Sequence, residues 1–415
     1  MTRSFFAPWA GVLLIALLLS SGQALALYQA GGEEYGVSIS AAVNAGLGLA
    51  VNPNDFIYAE RHDELWNGDL RLLADGFAGK QLRGWLNILQ NVRSAQPFRR
   101  TGGIAPAEVE RSSLFSWQQQ DGDSTRADLV LDAGYGAWGT GNNELIVGRQ
   151  PVQLSVTTTF TPNDFFASFA PQQFYRLYKP GVDAIRFEHR LADLTQLSLV
   201  GVLGYSEDPG SANGWSREPL WRRTSLLGRY TRSAVGLEWG ALAGVVRENT
   251  IVGASLQGEL TDWLGLRAEG HYRDSHQNNV SSGFMLNAGL EHRFASSLAV
   301  RLEQMYNSTG YSSLAEADRA LANGTLAAGY LGQLYSALDL GYEFSPLLTG
   351  ELLFLRNWTD ASQSFSFYAV YSLADESELA LRVTLPEGRA PDAQSMGSEL
   401  GMQPVRIVLE YRHYF

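Results

Sequence analysis

Val405, Ile407, Leu409, Tyr411, His413 and Phe415 alternate with Arg406, Val408, Glu410, Arg412 and Tyr414, and the chain stops on an aromatic ring. Strict period-two alternation predicts a strand whose two faces meet different surroundings. The same period recurs through the chain. It predicts strands over 35–45, 67–78, 82–92, 125–136, 142–150, 182–191, 195–205, 222–231 and 235–246. Further strands are predicted over 250–259, 263–272, 283–293, 298–307, 327–341, 348–357, 363–373, 377–384 and 405–415. Short connections of similar look join alternate pairs, as in His189-Arg190-Leu191-Ala192-Asp193-Leu194 and Tyr342-Glu343-Phe344-Ser345-Pro346-Leu347. Longer polar segments lie between them: 46–66, 93–124, 151–181, 206–221, 273–282, 308–326 and 385–404. Only 247–249 and 358–362 are short where a long loop is due. Short turns at one rim and long loops at the other predict an all-β, antiparallel transmembrane barrel of about eighteen strands, within a range of roughly sixteen to twenty.

The faces follow from the alternation. In 263–272, Leu264, Leu266, Ala268, Gly270 and Tyr272 form the outward set, opposed by Gly265, Arg267, Glu269 and His271. In 283–293, Phe284, Leu286, Ala288 and Leu290 oppose Asn287, Glu291 and Arg293. A barrel of this size is too wide for apolar side chains to fill, so charges inside are solvated and cost little. On a lipid face the same charges would cost roughly 2–4 kcal/mol each at the midplane. The inward arginines expected from this pattern are Arg149, Arg186, Arg190, Arg223, Arg229, Arg267, Arg293, Arg301, Arg382, Arg406 and Arg412. Acids such as Asp183, Glu269, Glu303 and Asp339 are interleaved, and cross-strand ion pairs are the plainest role for most of both sets. Tyr205, Trp263, Tyr272, Tyr306, Tyr330, Trp358 and Tyr371 sit near strand ends and suit interfacial girdles.

The remaining features narrow the class. Arg3, an apolar run over Gly11–Leu19 and Ala24-Leu25-Ala26 form a secretory signal peptide over 1–26, with the single barrel domain over 27–415. No later apolar run approaches a membrane helix. There is no cysteine, and the net charge of −12 argues against nucleic acid. Nothing in the sequence asks for a cofactor or metal: it has no His-Glu-x-x-His, phosphate loop or calcium loop. Asp274-Ser275-His276 reads as a loop tip and not as nucleophilic machinery, so no enzyme is expected.

An alternating last strand that closes on Phe resembles the assembly signature of bacterial outer-membrane barrels. The resemblance implies that Tyr411 and Phe415 address the chain to the barrel-assembly machinery, with outer-membrane lipid and lipopolysaccharide as its surroundings. His413 departs from the pattern, which has an apolar residue there. A second resemblance lies in 144–191. Gly148-Arg149-Gln150 at a strand end is followed by an aromatic-rich inserted segment over 151–181, then by Val182-Asp183-Ala184-Ile185-Arg186. This resembles the alginate-export family of outer-membrane barrels over about 45 residues. It implies eighteen strands and an arginine-lined path, with Arg149, Asp183 and Arg186 at the constriction.

From the residues themselves, the insert is too aromatic for an exposed loop and is expected to fold into the lumen. That places Asp164, Tyr175, Arg176 and Lys179 beside the path. Rings of arginine select anions. The expected function is passive diffusion of small hydrophilic, anionic solutes. Export of an acidic polysaccharide is the alternative, and a barrel enzyme a remote third. Outward small residues such as Gly201, Ala241 and Ala243 would allow a homo-oligomer.

Overall fold

The computed structural model describes residues 27–54, 56–94, 109–122, 124–276, 281–323 and 329–415. The proposed signal peptide over 1–26 lies outside them. Eighteen antiparallel strands close into a barrel. The first, Tyr35–Val51, pairs on one side with His62–Ala78 and on the other with the last, Val405–Tyr414, in a register that sets Leu47 opposite Leu409 and Val51 opposite Val405. Closure pairs each of these eighteen strands on both sides, as a sheet surrounded by lipid requires. Every predicted strand has its counterpart. The predicted loop 46–66 is shorter than expected, because pairing continues to Val51 and resumes at His62. The strand expected from 222 starts at Ser225, and the one expected from 327 starts at Leu334.

Outward positions carry exposed apolar side chains, among them Leu49, Leu70, Leu226, Val252, Leu302 and Ile407. Trp138, Trp239, Trp263, Phe294, Phe344 and Tyr371 gather toward the short-turn rim, and Tyr272, Phe284, Tyr306 and Trp358 toward the long-loop rim. Two of the expected girdle residues are elsewhere. Tyr205 is buried and donates to Asp183, and Tyr330 packs edge-on to Phe160. The connection at 247–248 is a two-residue turn with φ of 46° at Arg247 and 73° at Glu248, the left-handed pair that matches strand twist in a tight hairpin.

Two strands stop early. Asn143–Gln150 and Val182–Ala192 span 8 and 11 residues, against 16 for neighbouring Thr125–Thr140. Above them the wall is continued by Ser116–Asp121, which pairs with the upper half of Thr125–Thr140. Residues 151–181 leave the wall at this point and enter the barrel.

Candidate functional site

The insert carries no regular secondary structure, so its backbone N–H groups need partners inside the lumen. Two wall carboxylates supply them. Glu303 accepts from the N–H of Thr158 (3.1 Å), Thr159 (3.1 and 3.2 Å) and Phe160 (3.0 Å). Glu269 accepts from the N–H of Val156 (2.5 Å), Thr157 (3.3 Å) and Asn163 (3.1 Å) and from the Ser155 hydroxyl (2.7 Å). Both acids were expected to form cross-strand ion pairs. They hold the insert's backbone instead, because charge-assisted bonds from several amides satisfy a buried carboxylate without a cation. Arg267 adds a bond to the Val156 carbonyl (3.0 Å), and Asn287 one to the Phe160 carbonyl (2.7 Å).

Apolar contacts complete the seat. Val152, Leu154 and Phe166 of the insert bury against Val200, Leu227 and Ile251 of the wall. Phe160 buries against Met305, Tyr335, Leu353 and Leu355. Further along, Phe174 stacks on Tyr368 at 5.0 Å, and Tyr175 lies under the Arg412 guanidinium at 4.0 Å and meets the Tyr414 hydroxyl at 3.2 Å. Tyr178 lies under Arg71 at 4.5 Å. These contacts run from the middle strands round to the last strand and on to His62–Ala78, so the insert follows much of the inner wall.

The junction between strand and insert has its own geometry. Gly148 has φ of 127°, and a Cβ there would come within 2.8 Å of the Tyr135 Cα, so the turn into Arg149 needs glycine. Arg149 then bonds Asp183 through Nε (2.8 Å) and Nη2 (3.0 Å), and the carbonyls of Leu131 (3.0 Å) and Ser112 (2.9 Å). Its side chain is 1% exposed. Asp183 also accepts from the Ser112 N–H (2.8 Å) and the Tyr205 hydroxyl (3.0 Å). The pair expected at a constriction is therefore a closed clamp where the two short strands end. It draws in 109–115, part of the long connection predicted over 93–124.

Nearby, Glu110 binds Arg223 (3.0 Å) and Arg247 (2.6 Å) and accepts from the Tyr205 N–H (2.8 Å). Burial opposes ionisation of Glu110, but Arg223 and Arg247 outweigh it and hold the carboxyl below its ordinary range. Arg223 is thus a loop anchor, in the short turn Trp221–Arg223, and not a lumen strand residue. On the inner wall, Asp132 pairs with Arg71 (2.7 Å) and Arg111 (2.9 Å).

The other expected residues divide into two groups. Within the insert, Lys179 pairs with Asp164, and Arg176 donates to the carbonyls of Thr158 (2.5 Å), Gln173 (2.6 Å) and Pro171 (3.2 Å). These side chains staple the insert to itself. On the wall, Arg186 faces in beside Glu188 (3.4 Å), with Arg190 exposed four positions nearer the short-turn rim than Arg186. Arg229 faces in, two positions along its strand from Leu227 and opposite Leu242, and forms no ion pair among the described residues. Arg382 approaches Glu410 at 3.7 Å, and Arg406 lies exposed two positions further up the last strand's inward row from Val408. Arg412 is 2% exposed and binds Glu410, Glu378 (3.6 Å) and the Tyr368 hydroxyl (2.7 Å).

Beneath the insert a space of about 840 Å³ opens toward the short-turn rim, lined in part by Arg267, Glu291, Arg293, Arg301, Asp339 and Glu351. Glu291 bridges Arg267 (3.1 Å) and Arg301 (3.2 Å), and Arg301 reaches Asp339 (2.8 Å). Arg293 approaches Glu343 at 3.7 Å. Elsewhere, His276 bonds the Thr250 hydroxyl, and His271 bonds Asn163 of the insert, so the described contacts place both in structural roles. Tyr411, His413 and Phe415 form a ring row, with His413 4.2 Å from Phe415 and bonded to Ser377 (2.7 Å).

No family model matches the chain, and no curated protein does. Solved structures do. OccAB2 of Acinetobacter baumannii is 11% identical with a TM-score of 0.56, covering 91% of this chain and 98% of its own. OccK2 (OpdF) of Pseudomonas aeruginosa is 13% identical with a TM-score of 0.56, covering 91% and 97%. A BenF-like porin from Pseudomonas fluorescens Pf-5 is 10% identical with a TM-score of 0.58, covering 91% and 98%. OccK2 was also solved in complex with glucuronate. At such identities the likeness shows the fold alone, a closed eighteen-strand antiparallel barrel of the kind these porins have. These are porins of another kind than the alginate-export barrels, and they lend that resemblance no support.

Proposed function

We propose that the chain is an outer-membrane channel through which small hydrophilic anions diffuse passively, their path narrowed by the 151–181 insert. One observation carries the reading. The insert is fixed to the inner wall by Glu269 and Glu303, while the wall below it keeps charged side chains around a wide space. A structural barrel would have no use for a solvated, charged interior with a rigid partition. The short-turn rim faces the periplasm and the long-loop rim the exterior, as in bacterial barrels generally.

Arg186, Arg190, Arg229 and Arg406 line the path, together with Arg267, Arg293 and Arg301 around the space beneath the insert. Arg149, Arg176, Arg223 and Arg412 hold the scaffold around it. The glucuronate bound by OccK2, a small sugar carboxylate, supports small carboxylates as the solute class here. Tyr411 and Phe415, with the leader over 1–26, serve export and assembly. Liposome swelling tests the solute class: glucuronate should enter faster than a neutral sugar of similar size. Equal rates for the two would remove the anionic preference from this reading.

A further inference from the structure

The lipid-facing side of the barrel carries one polar row that the reading above does not use. Gln304 stands opposite Ser336, Ser336 opposite Arg356, Arg356 opposite Gln363, and Gln363 opposite Glu387. Their neighbours Glu303, Met305, Tyr335, Ala337, Leu355, Asn357, Ser362 and Ser364 are buried inside, so this row points outward. It spans five consecutive strands. The row below it is apolar throughout: Leu302, Leu338, Phe354, Phe365 and Leu385. Above it stand exposed Tyr306, Leu334 and Trp358. Over the strands of Gln304, Ser336 and Arg356 the polar row is thus enclosed between apolar positions, while Ala361 and Arg389 follow beyond Gln363 and Glu387.

The row is preassembled. The Ser336 hydroxyl donates to Gln304 (2.6 Å), Trp358 Nε1 donates to Ser336 (2.7 Å), Arg356 Nη1 donates to Gln363 (2.8 Å), and Gln363 donates to Glu387 (2.5 Å). The Arg356 guanidinium lies 5.4 Å from the Trp358 ring centre. That ring and Gln363 fix the cation in place, yet among the described residues only one of its N–H groups is bonded. A held guanidinium with unspent donors, set between apolar rows at the head-group level, suits an anionic group carried on acyl chains. The connection 358–362 above it is only a short turn.

We propose that this row seats the phosphorylated head group of an outer-leaflet glycolipid, with Arg356 on a phosphate and Gln304 and Ser336 on the polar linkage to the acyl chains. The inference rests on the membrane reading of the barrel's exterior. The test is native mass spectrometry of the purified full-length barrel in dodecylmaltoside, titrated with hexa-acylated Kdo2-lipid A. Wild type should retain the lipid. Arg356→Gln should bind it about tenfold more weakly, the loss expected for one charge-assisted contact. Arg356→Lys should fall between. Enzymatically dephosphorylated lipid A should bind wild type no better than the intact lipid binds Arg356→Gln, which keeps the test valid should that variant fold poorly.

Equal binding by wild type and Arg356→Gln would overturn the proposal. So would displacement of the lipid by an equal concentration of inorganic phosphate. A Ser336→Cys variant that crosslinks to a second copy in membranes would overturn it too, since the row would then belong to a protein interface. The membrane reading fails separately, if the barrel remains soluble without detergent.

Discussion

The carboxylate of Glu303 accepts a hydrogen bond from the backbone N–H of Phe160 at 3.0 Å, across 143 positions of sequence. With the adjoining amides of Thr158 and Thr159, this ties a segment without regular structure to a rigid wall. A carboxamide in place of the carboxylate keeps one acceptor oxygen and turns the other into a donor that faces N–H groups. Glu303→Gln should therefore weaken the seat by about 1–3 kcal/mol. In single-channel recordings the variant should show a larger mean conductance and added flicker. Glu269→Gln should do the same, and the double variant should exceed either.

Arg149 calls for a different outcome from the path arginines. Removing it leaves Asp183 buried without its cation, a change that costs about 3–5 kcal/mol. Arg149→Ala should lower the urea midpoint for loss of the heat-resistant folded band on a gel, while the fraction that folds keeps the wild-type reversal potential. A shifted reversal potential with unaltered stability would return Arg149 to the path.

Arg229 faces inward with its Nε unbonded and with no ion pair among the described residues, so its charge is less cancelled than that of Arg301. Arg229→Ala should reduce the anion-to-cation permeability ratio more than Arg301→Ala, because Arg301 is already neutralised by Glu291 and Asp339. Reversal potentials across a salt gradient measure both.

At the long-loop rim, the helix Leu314–Ala322 packs on the segment 388–404 through Ala317, Leu331 and Met396, and Asp318 accepts from the Met396 N–H (2.7 Å). Glu399 anchors this lid by accepting from Tyr335 and from Asn357 (2.9 Å). Burial, against the Tyr335 bond and with help from Asp360, lifts its carboxyl from 4.5 to about 7. Between those values the folded lid binds more protons than the open one. Its stability should then be greatest below about pH 4.5, fall as pH rises to about 7, and level off above. Amide-exchange protection factors for Met396–Met402 should follow that curve, and Glu399→Gln should flatten it.

The wall was legible in the sequence because lipid and water on opposite faces impose a period of two, and each strand carries that period by itself. The insert's need for burial, met where Phe160 and Phe166 bury against wall side chains, was legible from its aromatic content. Its seat was not. Glu269 and Glu303 have the same spacing and chemistry as acids that pair with arginine, and only the path of 155–163 tells them apart. A trace of the seat exists where alternation fails. Leu352-Leu353-Phe354-Leu355 is apolar on both faces, since Leu353 and Leu355 meet Phe160 and Leu400 rather than water. Arg149 was misplaced for a related reason. Strand parity gives a face, but the two short strands end beside it, and the segment 109–115 closes over the gap from a distance in sequence that periodicity does not register.

The central claim is that water and fixed positive charge occupy the barrel while hydrocarbon surrounds it. Zero-current potential in a planar bilayer under a potassium chloride gradient tests this most directly. The purified protein should insert in discrete conductance steps, with a potential whose sign shows chloride to be the more permeant ion. Stable insertion with a cation-preferring potential, or a folded chain that forms no steps, would contradict the account.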